Sequence, residues 1–186
     1  MPFGSLWLPV VASSVAVFVV SAILHMALRY HRADHKQLPD EEGVRDALRK
    51  AGAAPGMYMT PYCKDQAQMK EPAFLEKFTK GPIAIISVMP NGQPNMGKYL
   101  GLWFVLTLLV SFTAAYVARL VLQPGAEHAM TAFRITGTVA FAAYGLGQIS
   151  DYIWKAQPGP NTVRHMIDAI VYAVVTGVVF CFLWPK

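Results

Sequence analysis

The sequence predicts an all-α integral membrane protein. Its expected form is an antiparallel bundle of four transmembrane helices, with one long cytoplasmic loop that contains short helices. Three observations lead there. Only 15% of the 186 residues are charged, against about 25% in a typical soluble domain. Apolar residues make up 54% and gather into four long segments that read as spans. Most of the Lys and Arg lie in a single stretch between the first and second of these segments. The length is that of one domain, here residues 1–186.

The first span runs from Leu6 to Leu28, about 35 Å as a helix. It lacks the basic start, short apolar run and cleavage site of a signal peptide. Arg29, Arg32 and Lys36 follow at once, and they hold that end in the cytoplasm by the positive-inside rule. Residues 29–98 form the polar loop, with eleven basic and eight acidic residues. Within it, Leu38–Gly52 reads as a short helix. Pro39 and Asp40 supply start chemistry, the first turn is acidic, and Gly52 stops it. A second short helix is expected over Pro72–Lys80, closed by Gly81-Pro82. Pro82–Pro90 is apolar but too short to span, so it is extended or interfacial. The Pro90-Asn-Gly-Gln-Pro94 run is turn chemistry.

The second span is Tyr99–Leu122, with Arg119 in its outer turn. Residues 123–128 form a short outer loop. The third is Thr131–Trp154, with Arg134 near its outer end and Asp151 near its inner end. Residues 155–161 make an inner turn, and Val163–Trp184 is the fourth span. Trp154 and Trp184 lie where an aromatic belt is expected. Lys155 and Arg164 join the loop's eleven basic residues on the inner side, making thirteen, while Arg119, Arg134 and Lys186 lie outside. That asymmetry puts both termini outside and the loop 29–98 in the cytoplasm. Short connections make consecutive helices antiparallel neighbours.

Several stretches resemble a family of small bacterial four-span inner-membrane proteins. They are Leu24-His-Met26 with Leu38-Pro39, Gly81–Pro90, Met96–Phe104, and Ile167–Tyr172 continuing to Leu183-Trp-Pro185. The resemblance implies a multi-pass protein of a bacterial inner membrane and carries no established activity, substrate or cofactor.

The net charge of +5 would point to nucleic acid in a soluble protein. Here topology and anionic lipid headgroups account for it, and no stacking-aromatic or basic-helix pattern is present. Arg29, Arg32, Lys36, Arg119 and Arg134 are therefore the expected headgroup or anion contacts. Cys63 and Cys181 fall on opposite sides and outside any Cys-x-x-Cys pair, so both read as free thiols. Met57, Met59, Met69, Met89 and Met96 read as gap-filling side chains. Met59 with Cys63 lacks the tight repeat of a copper site.

The polar residues of the spans carry the functional expectations. His25, Asp151, His165 and Asp168 fall at one depth on three helices. His165, Asp168 and Tyr172 share a face, as do Tyr144, Gln148 and Asp151. Three readings compete for this cluster. It could be structural, with Asp151 and Asp168 paired to Arg29, Lys155 or Arg164. It could be a zinc, manganese or iron site using His25, His165, Asp151 and Asp168. It could be a proton- or cation-linked path, which with only four spans needs an oligomer. His31 and His35 are four apart and could pair on a metal, but their basic neighbours place them in the headgroup rim. Arg119 and Arg134 face each other across the outer turn with Glu127 and His128 between them. No haem, hydrolase or kinase signature is present, and no cofactor is expected beyond the metal alternative.

Small residues give the packing signal. Ala169, Ala173 and Gly177 recur every four residues in the fourth span, with Gly137, Ala143 and Gly147 in the third. Such faces allow close helix approach within the bundle or between protomers. Taken together, the sequence points to a non-enzymatic homo-oligomer or membrane-complex subunit, with the loop as docking surface. A small transporter or channel using Asp151 and Asp168, or a metal-binding membrane protein, are the alternatives.

Overall fold

The computed structural model describes residues 3–28 and 30–186. It is mostly helical, at 72%. Contacts divide the chain into two compact units, residues 1–35 with 95–186, and residues 36–94.

In the first unit, α1 is Trp7–Ala22, entered by a 3₁₀ turn at Phe3–Leu6 and continued by a π turn at Ile23–Ala27. After the 30–34 turn and the second unit come α4 (Met96–Val121), α5 (Ala129–Phe141), a second π turn at Ala142–Leu146, α6 (Gly147–Trp154) and α7 (Gly159–Leu183). Asn95 caps α4, its side chain accepting from the Lys98 N–H at 3.0 Å. Helix α1 packs on α4 and α7, and α5 packs on α4 and α7.

Among the described residues, three helices are long and apolar enough to cross a membrane: Gly4–Ala27, Met96–Val121 and Gly159–Leu183. They coincide with the first, second and fourth expected spans. The third expected span is helical from Ala129 to Trp154 but is not in this set. Arg134, Gln148 and Asp151 make it less apolar. Large apolar side chains such as Leu8, Val15, Leu109 and Ile170 face outward, a surface compatible with lipid.

Small and hydroxylated residues line the seam between α1 and α4. Ser13 Oγ donates to Ser111 Oγ at 3.0 Å, and Ser14 Oγ reaches the Thr107 carbonyl at 3.3 Å, joining α1 to α4. Side chains this short let the backbones come close while closing their own hydrogen bonds. One apolar cluster holds Val10, Ala118, Ala132 and Phe180, and another Val17, Ala140, Ala169 and Tyr172. At one end, the Trp184 indole donates to the Gln123 carbonyl at 3.1 Å and the Gly125 N–H donates to that of Pro185 at 2.9 Å.

The second unit holds α2 (Glu41–Lys50), β1 (Gly56–Thr60), α3 (Pro72–Lys80) and β2 (Ala84–Val88). Asp40 caps α2 through the Gly43 N–H at 2.9 Å. Pro72 opens α3, and Gly81 ends it at φ +59°. The apolar 82–90 stretch is extended, and β2 pairs antiparallel with β1 in the register Gly56–Val88 to Thr60–Ala84. This two-stranded sheet corrects the all-α expectation. Phe74 is buried against Phe78, ring centres 5.2 Å apart.

The small-residue face works inside the unit. A methyl at Gly177 would lie 2.9 Å from the Phe133 carbonyl oxygen, and one at Gly137 would lie 3.2 Å from that of Ala173. Further along the third helix Gly145 is also tight, against Ala169, whereas Gly147 stands in open space. Gly177→Ala is therefore expected to cost about 1–3 kcal/mol through overpacking. Gly147→Ala should be neutral or stabilise by up to about 1 kcal/mol through helix propensity. Thermal unfolding in mild detergent measures both.

Candidate metal centre and adjoining cavity

The site is built where α1 ends and the chain turns back onto α7. The π turn Ile23–Ala27 carries His25, and the 3₁₀ turn Tyr30–Asp34 brings His31 and Asp34 against the first turns of α7. Two contacts hold this return. Asn161 Nδ2 donates to the Asp34 backbone carbonyl at 2.9 Å, and Arg164 Nε donates to Asp34 Oδ1 at 2.7 Å. Arg164 also donates to Asn161 Oδ1 at 2.9 Å.

His31 is at the centre. Its Nδ1 lies 2.5 Å from Asp34 Oδ2 and its Nε2 lies 2.7 Å from Asp168 Oδ2. All three side chains are more than nine-tenths buried. The His31 ring stacks on His25, with centres 4.1 Å apart and planes within 8°, and faces His165 at 5.2 Å. His25 Nδ1–H donates to the Ser21 carbonyl at 3.0 Å, because a carbonyl can only accept. Its Nε2 is then left facing Asp168 Oδ2 at 3.9 Å. His165 Nε2 faces Asp34 Oδ2 at 4.0 Å.

Among the described residues, two groups of donor atoms, each within 4.8 Å of one another, could hold a metal ion: His25, His31 and Asp168, and His31, Asp34 and His165. They share His31. Burial alone raises the Asp34 carboxyl, but the hydrogen bonds and charges of His31 and Arg164 outweigh it and hold the carboxyl below its ordinary value. A lowered value means that Asp34 contributes stability at neutral pH, and that this contribution is lost only as pH falls below the usual carboxylate range.

A cavity of about 320 Å³ adjoins the cluster. His25, Asp168 and His165 form one wall, and Trp103, Tyr144 and Tyr172 another. Trp103 is fixed by its indole N–H donating to Ser21 Oγ at 2.8 Å. Tyr144 belongs to the second π turn. Both π turns thus deliver a side chain to the same place, and such turns are rare and concentrate at functional sites.

Of the residues expected from sequence, His25, His165 and Asp168 come together, and Gln148, Tyr144 and Tyr172 line the cavity beside them. Asp151 does not join. It pairs with Lys155 at 2.7 Å and is one-third exposed. His31 and His35 do not act as a pair: His35 is exposed, and His31 leaves the expected headgroup rim for the centre of the cluster. Asp34 was not anticipated. The signal available was its position three residues after His31, beside the end of an apolar segment.

Among the expected headgroup contacts, Arg32, Lys36 and Arg134 are exposed, Arg119 is half-buried, and Arg29 lies outside the described residues. His128 and Glu127 approach to 3.6 Å. Cys63 and Cys181 are free, and among the described residues neither enters a metal-ligating group.

Compared with known proteins, the chain matches no family, no curated protein and no solved structure.

Removing one side of a buried charged contact leaves the other side unsatisfied. Asp34→Asn is expected to cost about 2–4 kcal/mol, since it faces His31, His165 and Arg164. Asp151→Asn, which breaks one exposed pair, should stay within about 0.5 kcal/mol. Denaturant or thermal unfolding of the two variants compares them.

Proposed function

We propose that this chain is a multi-pass membrane protein that binds a divalent transition metal at one of the two donor groups that share His31: His25, His31 and Asp168, or His31, Asp34 and His165. One observation carries this reading. The His25 tautomer fixed by Ser21 points an imidazole lone pair at the Asp168 carboxylate, while His31 has a carboxylate on each ring nitrogen. Acceptor faces acceptor unless a cation or an extra proton lies between them. An imidazole whose other nitrogen donates to a backbone carbonyl is also the usual arrangement of a metal-bound histidine. Each group offers two imidazoles and one carboxylate, a set that suits zinc, iron or manganese.

The membrane part of the proposal rests on the three apolar helices, with residues 129–154 as a fourth and more polar span completing an antiparallel four-helix bundle. The thirteen-to-three distribution of basic residues favours both termini outside. The metal then lies at the cytoplasmic end of the spans. A role as a non-enzymatic subunit of an oligomer or larger membrane complex accords with this reading, but the Ala169, Ala173 and Gly177 face is occupied by α5 within the chain and leaves no small-residue face there for a second copy.

A proton- or cation-linked path is the second reading. It is favoured by Asp168, whose Oδ2 meets His31 while its buried Oδ1 has no hydrogen-bond partner among the described residues.

The two readings separate on metal content. The protein purified in mild detergent and titrated with zinc is expected to bind one ion per chain, more weakly at acid pH because the ligands must be deprotonated. His31→Ala should lower the affinity at least about 10-fold, the effect of even an outer-shell loss, while Asp151→Asn should leave it unchanged. A wild-type protein with no bound metal and no zinc affinity would refute the metal reading and leave the proton path.

A further inference from the structure

We propose that the outer face of the β1–β2 sheet lies against the headgroup region of an anionic lipid bilayer. The proposal rests on the membrane reading above and not on the metal.

The register decides which side chains share this face. Directly paired residues of an antiparallel ladder point the same way, so Met57 stands with Ser87, and Met59 with Ile85. Along β2 and one residue beyond each end, exposure alternates. Ile83, Ile85, Ser87 and Met89 are exposed, whereas Ala84, Ile86 and Val88 are half-buried. The inner face finds contacts in its own unit, where Val88 lines a cavity with Leu48 of α2 and with Ala53. The outer face is open. Met57, Met59, Ile83, Ile85 and Met89 are between 38% and 66% exposed, and Ser87 is the one polar residue beside them. An exposed patch of large apolar side chains is informative where a single one is not. A two-stranded sheet is also marginal by itself in water, so this face gains from a cover.

Charge and area choose the cover. Lys77 and Lys80 line a cavity with Thr60 and Pro82, at the Thr60–Ala84 end of the sheet. Lys80 pairs with Glu76 at 2.7 Å, whereas Lys77 has no ion pair among the described residues. An uncharged apolar face with lysine at its edge is the pattern of a segment lying in the plane of an anionic membrane surface. A protein partner fits less well. The five paired residues have a footprint of about 17 Å by about 10 Å, a fraction of what the roughly 800 Å² per side of a standard complex needs. A bilayer requires no such area, because the chain itself delivers the face to it. Only seven residues, 89–95, separate β2 from α4, a reach of at most about 30 Å, and α4 is read as a span. Attachment of this kind makes a weak contact intramolecular.

The test uses the full-length protein in nanodiscs of phosphatidylcholine and phosphatidylglycerol. A nitroxide is attached at Ser87→Cys, in a Cys63→Ser, Cys181→Ser background, and its collisions with oxygen, which concentrates in lipid, are compared with those of a water-soluble nickel chelate. The label at position 87 is expected to meet oxygen more than the chelate, and a label at Lys50→Cys on α2 to show the reverse. Lys77→Gln should lower the lipid partition of position 87 about fivefold, the worth of one lysine beside an anionic surface. Discs of phosphatidylcholine alone should lower it further. Positions 87, 50 and 109 are all exposed, so labels there leave the packing alone. A label at 87 as wet as that at 50 would overturn the proposal. So would a label shielded from both agents, which describes cover by a second copy or another protein, or a partition that neither Lys77→Gln nor the loss of phosphatidylglycerol changes. A label at Leu109→Cys on α4 keeps the two readings apart. Water at 109 refutes the membrane reading, whereas lipid at 109 with water at 87 refutes this proposal alone.

Discussion

A carboxylate facing the interior of an apolar helical unit survives only if something neutralises it. In this chain that constraint falls on Asp168, and His31 is the answer to it. His31 comes from outside the apolar segments, on a turn that folds back over the end of α1, and it engages Asp168 and Asp34 with its two nitrogens. Arg164 and Asn161 then fasten the returning turn to α7. The remaining polar contacts follow from this one. His25 and His165 sit on either side of the His31 ring, so three imidazoles share two carboxylates. The cluster has more acceptors than protons on neutral groups can serve, and this excess is what a metal ion would relieve.

The packing of the helices serves the same place. Glycine and alanine let α5 and α7 approach until their backbones nearly touch. Beyond that contact the third helix changes pitch. The π turn at 142–146 seats Gly145 against Ala169 and turns Tyr144 toward Tyr172 and Trp103. A matching π turn in α1 carries His25. The apolar helices are therefore regular where they only pack, and irregular in the two places where a polar side chain has to reach the site.

Much of this was legible in the sequence, because helix length and apolar character are local properties. The three long apolar helices, the α2 cap at Asp40 and the α3 stop at Gly81 all follow from short-range signals. His25, His165 and Asp168 could be gathered from depth alone. Asp151 could not be placed correctly, since its expected face assumed an unbroken α-helix from Tyr144. A π turn between them retards the helical phase by roughly a quarter turn and leaves Asp151 outside with Lys155. The β1–β2 pair joins segments with α3 between them, and nothing local in Gly56–Thr60 announces a partner at Ala84–Val88. His31 was misread for a similar reason. Its basic neighbours describe a solvated rim, and only the fold-back onto α7 takes it inside.

The central claim is that both ring nitrogens of His31 are engaged, and that His25 and His165 belong to the same centre. Nitrogen NMR of the protein with ¹⁵N-labelled histidine rings, assigned by single substitutions and followed through a zinc titration, tests it most directly. The expected spectrum separates His31 from the exposed His35, and zinc moves the His25, His31 and His165 signals together. A His31 signal that matches His35, with no common response to zinc, would contradict the account.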